Sequence, residues 1–491
     1  METTPAIIIF AGGILAYALG SVVYNLFLSP LSKFSGPKLA ACTYIPSLYW
    51  TSTGQNHMKM KELHDKYGDV VRVGPNALVY RSPQAWKDIY GHRKPGAGSF
   101  LKDPKFYVRG PTGPNVLNAD DADHSRERRL LSHAFSEKAL RDQETLIQSY
   151  VDLLVERLNG QVVAARGAID MCRWYNYTTF DIIGDLAFGE PFDCLQESKY
   201  HPWVKMVFSS VKGGALLRPL QIYPIIAPIV RMLLPKRVMK MRNEHFAMSA
   251  EKVHRRLEVK TERPDFMTYI LRHTDDRAMT GKEMEANAAL LILAGSETTA
   301  TLLAGLSYYL AQNPATYKRL VEEIRSTFKS YDDINFLGVS QMTYLNAALE
   351  EALRVYPPVP AVIPRVVPKG GSVIDGMFVP QGVSVSGAHY STYHAESNFA
   401  EPDSFIPERW LDDREKRFES DNRSSLAAFS LGPRNCIGRN LAYAEMRVIV
   451  AKVFWSFDMT LDESSKGWNV QKSFNIWEKK PLMMHLTKVQ H

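Results

Sequence analysis

The stretch Phe429-Ser-Leu-Gly432-Pro-Arg434-Asn-Cys436-Ile-Gly438-Arg439 constrains this chain more than any other segment. Its lone cysteine stands between two glycines, and an apolar helical pattern through Leu441, Ala442, Met446 and Val450 starts just after it. Glycine allows close backbone approach and conformations closed to other residues. A cysteine at a helix start meets oriented N–H groups and the positive end of the helix dipole, which favour thiolate, the form that ligates metal. With a single sulfur on offer, a metal here needs a large prebuilt group to fill its other positions. The four cysteines, Cys42, Cys172, Cys194 and Cys436, are too few and too scattered for a disulfide framework. No CxxC pair points to zinc or an iron–sulfur cluster.

With every fixed position matched, FxxGxRxCxG resembles the haem-binding signature of the cytochrome P-450 superfamily, in which a cysteine thiolate ligates haem iron. Other segments agree in the same order along the chain. Glu351-Ala-Leu-Arg354 sets two opposite charges on one helical face, and Pro357-Pro358 end that helix; it resembles the family's ExxR motif. Pro407-Glu-Arg409-Trp410 resembles the later PERF-like segment, with Trp in place of Phe. The resemblance implies that Glu351, Arg354 and Arg409 form a buried network serving folding and haem retention. His124 and Arg128 occupy the place of the helix-C HxxxR motif, one turn apart. Both are expected to reach a haem propionate, as are Arg365 and Arg434 by resemblance; Phe429, Gly432 and Gly438 complete the expected cofactor-binding set around Cys436, the axial ligand.

Ala294-Gly295-Ser296-Glu297-Thr298-Thr299 lies in a long apolar helical pattern and resembles the family's oxygen-activation motif in its Glu-Thr form. Ala294 and Gly295 are expected to leave room above the iron. Thr298 can hydrogen-bond the helix backbone and an oxygen ligand, and Glu297 can relay protons. Taken alone, the same letters describe a small-residue contact between helices. In the family, thiolate ligation favours O–O cleavage and the cofactor carries the organic chemistry.

Residues 5–28 carry no charged side chain, more than the roughly 20 needed to cross a bilayer as a helix, and Lys33 and Lys38 follow. A cleavable signal would have a basic start and a shorter apolar core. The expectation is a transmembrane anchor over residues 1–30, a proline-containing hinge over 31–38 and a haem-thiolate catalytic domain over 39–491, with the body cytosolic at the endoplasmic reticulum membrane. The composition, 45% hydrophobic and 23% charged, excludes disorder and a many-span membrane protein. The net charge of +7 is dispersed, so no nucleic-acid arm is indicated.

Fold class reads as mainly α with a minor β portion, the cytochrome P-450 fold. Residues 70–80, broken by Gly74-Pro75-Asn76, predict a hairpin. Helices are predicted over 143–158, 240–258, 281–312 and 314–328, and strands over 371–386 and 469–487. The apolar, proline-punctuated segment 213–235 is either a core connection or a loop dipping into a membrane surface.

The implied function is a monooxygenase with haem b (iron protoporphyrin IX), inserting one oxygen atom from O2 into an apolar small molecule. Electrons are expected from NADPH-cytochrome P-450 reductase, with cytochrome b5 as a second candidate donor, since no flavin or dinucleotide fingerprint is present. The pocket is expected to draw on residues 100–117, 294–299, 359–366 and 473–476. The sequence around residues 24–38 and 133–136 resembles fungal microsomal members of secondary metabolism, near trichothecene-pathway hydroxylases. The alternatives are a haem-thiolate isomerase or dehydratase that does not use O2, and a non-enzymatic haem sensor.

Overall fold

The computed structural model describes the chain apart from residues 1–2, 95, 97, 108–109, 111–112, 165–166, 227, 229–231, 233–235, 260, 262 and 273–277. Its axis is the 32-residue helix Gly281–Gln312. Thr280 and Glu283 start it with a reciprocal capping box, side chain to backbone in both directions. The Met171–Phe188 helix lies along it, and Lys236–Glu258, Thr343–Val355 and Arg439–Ser456 also pack against it. Every residue of Met171–Phe188 except Arg173 is buried, as expected of a helix that is apolar on most of its circumference. The helices expected over 143–158, 240–258, 281–312 and 314–328 fall within Glu137–Val163, Lys236–Glu258, Gly281–Gln312 and Pro314–Thr327, the last a residue short of the expected end.

The β portion is small and split. Strands β1 (Val70–Gly74), β2 (Ala77–Tyr80), β3 (Leu101–Lys102), β4 (Ile169–Asp170), β5 (Arg365–Val366), β6 (Ser372–Ile374), β7 (Met377–Val379), β8 (Ser384–Gly387), β9 (Phe457–Leu461), β10 (Ser473–Phe474), β11 (Ile476–Trp477) and β12 (Met483–Lys488) form four sheets. The largest has the order β1-β2-β8-β5-β3, a second β4-β12-β9, and β6-β7 and β10-β11 are two-stranded. The expected hairpin over 70–80 is present, with Val70 opposite Tyr80. β6 and β7 turn on Asp375-Gly376, both with positive φ, the sequence a two-residue hairpin favours.

At the amino terminus a helix runs from Thr3 to Val23 and continues as a π-helical turn through Leu28. From Gly12 its side chains are almost all exposed. Among the described residues, the one helix long and apolar enough to cross a membrane is Gly281–Gln312, and it is a buried core helix; Gly12–Leu28 is a shorter apolar helix. Residues 31–38, read from sequence as a hinge, are docked on the body. Leu31 and Phe34 are buried among first-sheet residues. The Arg72 amide donates to the Ser35 carbonyl at 2.8 Å, and its guanidinium reaches the Asn25 carbonyl at 2.7 Å.

Within 213–235, both readings find part of their ground. Tyr223 packs inward, its hydroxyl 2.9 Å from Thr43 Oγ1 and 3.0 Å from the Tyr44 amide, while Ile225 is 88% exposed. Residues 227, 229–231 and 233–235 of that segment lie outside the described residues.

Candidate active site

Residues 429–438 form a tight loop ahead of the Arg439–Ser456 helix. The Cys436 amide donates to the Phe429 carbonyl at 2.8 Å, closing it. Gly432 has φ +68°, and a Cβ there would sit 2.1 Å from the Tyr90 carbonyl oxygen, so only glycine fits. Gly438 differs from expectation: φ is −84°, and a Cβ would meet nothing nearer than a Phe135 ring carbon at 3.6 Å. The surrounding protein does not demand its bareness. The Phe429 ring packs on Tyr443, and the Arg439 guanidinium lies over both rings.

Cys436 is a free cysteine whose side chain is accessible, yet protein crowds around it and burial pushes its thiol pKa up. The Gly438 N–H, Arg128 and Arg439 act in the other direction. The helix-start argument therefore names real contributions, but desolvation outweighs them for the bare thiol.

The expected propionate residues converge in part. His124, Arg365 and Arg434 share one region with Lys102, which sequence reasoning missed. Burial and the adjacent Arg365 and Arg434 hold the Lys102 amine far below its ordinary pKa. His124 is lowered to about 4, by burial first and then by Arg434, Arg128 and Lys102. Arg434 Nη2 donates to the Ala119 carbonyl and to Asp121, each at 2.9 Å, but its Nη1 is buried without a partner, as are Arg365 Nε and the Tyr107 hydroxyl. Arg128 does something else. Its two terminal nitrogens grip Asn435, at the carbonyl (2.7 Å) and at the side-chain oxygen (2.5 Å). It therefore clamps the cysteine loop, and the structure does not show it aimed with the other cations.

The oxygen-motif residues divide between faces of their helix. Ala294 is exposed and Thr298 partly open in the middle of an otherwise buried element; Thr298 Oγ1 donates to the Ala294 carbonyl at 2.7 Å. Gly295 faces the neighbouring helix, where a Cβ would meet Ile183 Cδ1 at 2.6 Å. For Gly295 the small-residue helix contact is what the structure displays, and of the two small residues Ala294 alone joins Thr298 on the open face. Glu297 is buried on a third side, with Lys479 Nζ 2.6 Å from its Oε1. Among the described residues no hydrogen bond joins Glu297 to Thr298.

Glu351, Arg354 and Arg409 form the buried network expected. Arg354 holds both Glu351 oxygens, at 2.9 and 2.7 Å, and Arg409 Nε donates to Oε1 at 3.1 Å. Arg354 also donates to the carbonyls of Tyr393 and Ser404. Two members were not foreseen. Trp410 Nε1 donates to Glu351 Oε2 at 2.8 Å, and Asp421 pairs with Arg409. Two carboxylates thus balance two guanidiniums, all four charged side chains fully buried.

The model of the cytochrome P450 family matches residues 37–486, and the chain belongs to that family. It is 54% identical over 474 residues to cytochrome P450 monooxygenase astJ of Aspergillus oryzae, across 96% of this chain and 95% of that protein. It is 46% identical to cytochrome P450 monooxygenase efuB of Hormonema carpetanum, across 96% and 94%. It is 42% identical to a trichothecene C-15 hydroxylase of Fusarium sporotrichioides, across 98% of each. The enzyme class is that of the haem-thiolate monooxygenases, and the expected likeness to fungal secondary-metabolism enzymes holds.

The residues present fit the haem this family carries. A buried donor without a partner is costly, and Arg365 Nε and Arg434 Nη1, two such guanidinium nitrogens beside Lys102, fit acceptors of the propionate kind. The bare backbone at Gly438 suits a flat group seated over Cys436.

Proposed function

We propose that the chain uses haem b to oxygenate an apolar small molecule of fungal secondary metabolism, of the terpenoid or polyketide kind. The observation that carries this reading is the pairing of the Cys436 loop with the buried group of Lys102, Arg365 and Arg434, where Arg365 Nε and Arg434 Nη1 have no partner. Cys436 would ligate the iron; His124, Arg365, Arg434 and Lys102 would hold the propionates; Arg128, through Asn435, fixes the loop that presents the sulfur. Bound there, haem supplies oxygen activation and transfer to carbon.

The protein's own groups do the rest. Thr298 presents a hydroxyl on the open face of its helix, where it can hand on a proton. Glu297, paired with Lys479 at 2.6 Å, is the acid on the adjoining side of the same helix turn, able to take up and release protons. The apolar residues among 100–117, 294–299, 359–366 and 473–476 exclude water and orient the substrate. The Glu351–Arg354–Arg409 network holds the fold around the site. Electrons come from NADPH-cytochrome P-450 reductase, with cytochrome b5 as an auxiliary donor. Residues 1–30 anchor the enzyme in the endoplasmic reticulum membrane, with residues 39–491 in the cytosol.

The test is reconstitution with reductase, NADPH and a panel of apolar metabolites under labelled dioxygen. The expected product is heavier by one labelled oxygen atom, with NADPH and O2 consumed together. Product formation without consumption of either would establish an isomerase or dehydratase instead.

A further inference from the structure

We propose that Arg218 recognises an acidic group on the substrate, so that the preferred substrate is an apolar body ending in a carboxylate. This deepens the monooxygenase reading and rests on it. Arg218 lies two residues past the helix Pro202–Leu216, in the proline-punctuated segment 213–235. It is held from both sides. Leu217 before it is buried, and beyond it the Tyr223 hydroxyl is bonded to Thr43 and to the Tyr44 amide.

Three segments expected to form the pocket meet at this cation. From 100–117, the Phe106 ring centre lies 4.2 Å from the guanidinium carbon. From 359–366 and 473–476, Ala361, Val362, Ser473 and Asn475 line a narrow cavity with it. Arg218 Nη2 donates to Asn475 Oδ1 at 3.2 Å, and Nη1 reaches Thr51 Oγ1 at 3.5 Å. Asn475 stands between β10 and β11 with φ +75°.

Both of these acceptors are neutral, and among the described residues Arg218 forms no ion pair. The nearby Asp103 is already engaged: its Oδ2 accepts from the Ser384 hydroxyl at 2.6 Å and its Oδ1 from the Lys105 amide at 2.9 Å. Burial lowers the Arg218 pKa to about 10, with Tyr107 and Asp103 acting the other way, yet the residue stays partly accessible. Crowding by protein together with an open side also marks Cys436. What this site lacks is negative charge. A guanidinium offers five N–H donors in a planar fork, and a carboxylate fits two of them side by side. The low-polarity walls strengthen that attraction beyond its worth in water. With one end of the substrate pinned, the length of its apolar body decides which carbon is presented for oxygenation.

Calorimetric titration of purified holoenzyme tests this, with decanoic, dodecanoic and abietic acids, each against its own methyl ester. In the parent at least one acid should bind about 10- to 100-fold tighter than its ester, the range of a hydrogen bond to a charged group. Arg218→Gln should bring that ratio to about one while ester affinity holds, and Arg218→Lys should keep part of it. Asn475→Asp, which sets a carboxylate of the protein's own against Arg218 and tolerates the positive φ, should also abolish the preference; it carries the test if Arg218→Gln does not fold. Absence of any acid preference in the parent, or its survival in Arg218→Gln or Asn475→Asp, overturns the proposal. The reduced carbon monoxide spectrum reports separately on the haem-thiolate reading. A normal spectrum without acid preference leaves that reading standing and removes this one; acid preference without the thiolate spectrum does the reverse.

Discussion

Trp410 Nε1 donates to Glu351 Oε2 at 2.8 Å, at the position where the family's pattern carries a phenylalanine. The indole adds a fourth donor residue to a carboxylate already held by Arg354, Arg409 and the Ile406 amide. Trp410→Phe should keep the ring's packing and lose one hydrogen bond to a charged group, about 1.5–3 kcal/mol. Urea denaturation should show that loss with haem content unchanged.

Removing a charge from the same network is a harsher change. Arg409→Leu leaves Glu351 and Asp421 buried with one guanidinium between them. The expected cost is about 3–5 kcal/mol, read as loss of soluble, haem-loaded protein. Arg409→Lys should rescue little, since an ammonium cannot reproduce the planar fork.

The two glycines flanking the cysteine should respond differently. Gly432→Ala drives a methyl into the Tyr90 carbonyl from a left-handed conformation, so folded protein should be lost. Gly438→Ala meets no tight contact within the protein; it should fold, with normal circular dichroism, and bind haem poorly. Equal haem content in Gly438→Ala and the parent would contradict the seat described above.

Cys436→Ser should abolish the red-shifted Soret band of the reduced carbon monoxide complex. Thr298→Ala should leave that band in place and send reducing equivalents to peroxide. Because the Thr298 hydroxyl bonds the Ala294 carbonyl of its own helix on an open face, its stability cost should stay under about 1 kcal/mol.

Glu445 gives a pH test independent of the cofactor. It is 2% exposed, and burial raises its pKa to about 8, with the Thr299 hydroxyl acting weakly against this. The folded protein therefore holds this proton between its unfolded value near 4.5 and pH 8. The associated stability is complete below about 4.5 and declines as pH rises, by about 1.4 kcal/mol per unit across that window. Glu445→Gln should gain on the parent by that slope in denaturation series from pH 5 to 8.

What the sequence made legible was local. Gly281–Gln312 could be bounded from its long apolar helical pattern, and the hairpin at Gly74-Pro75-Asn76 because its turn is written in three letters. Lys102, Asp421 and Lys479 were invisible because each acts on residues brought close only by tertiary packing, and nothing in its own neighbourhood marks it. Arg128 was legible as a functional position, but its hold on Asn435 was not, since motif spacing shows a helical face without saying what waits there. Gly295 was misplaced for a similar reason: a small residue marks a close approach, and the sequence does not say by whom.

Arg72 grips the carbonyl of Asn25 while Leu31 and Phe34 are sunk in the body. The terminal helix is thus fastened at its last turn, without a slack tether. Wherever that helix is seated, the body it is bolted to inherits its bearing.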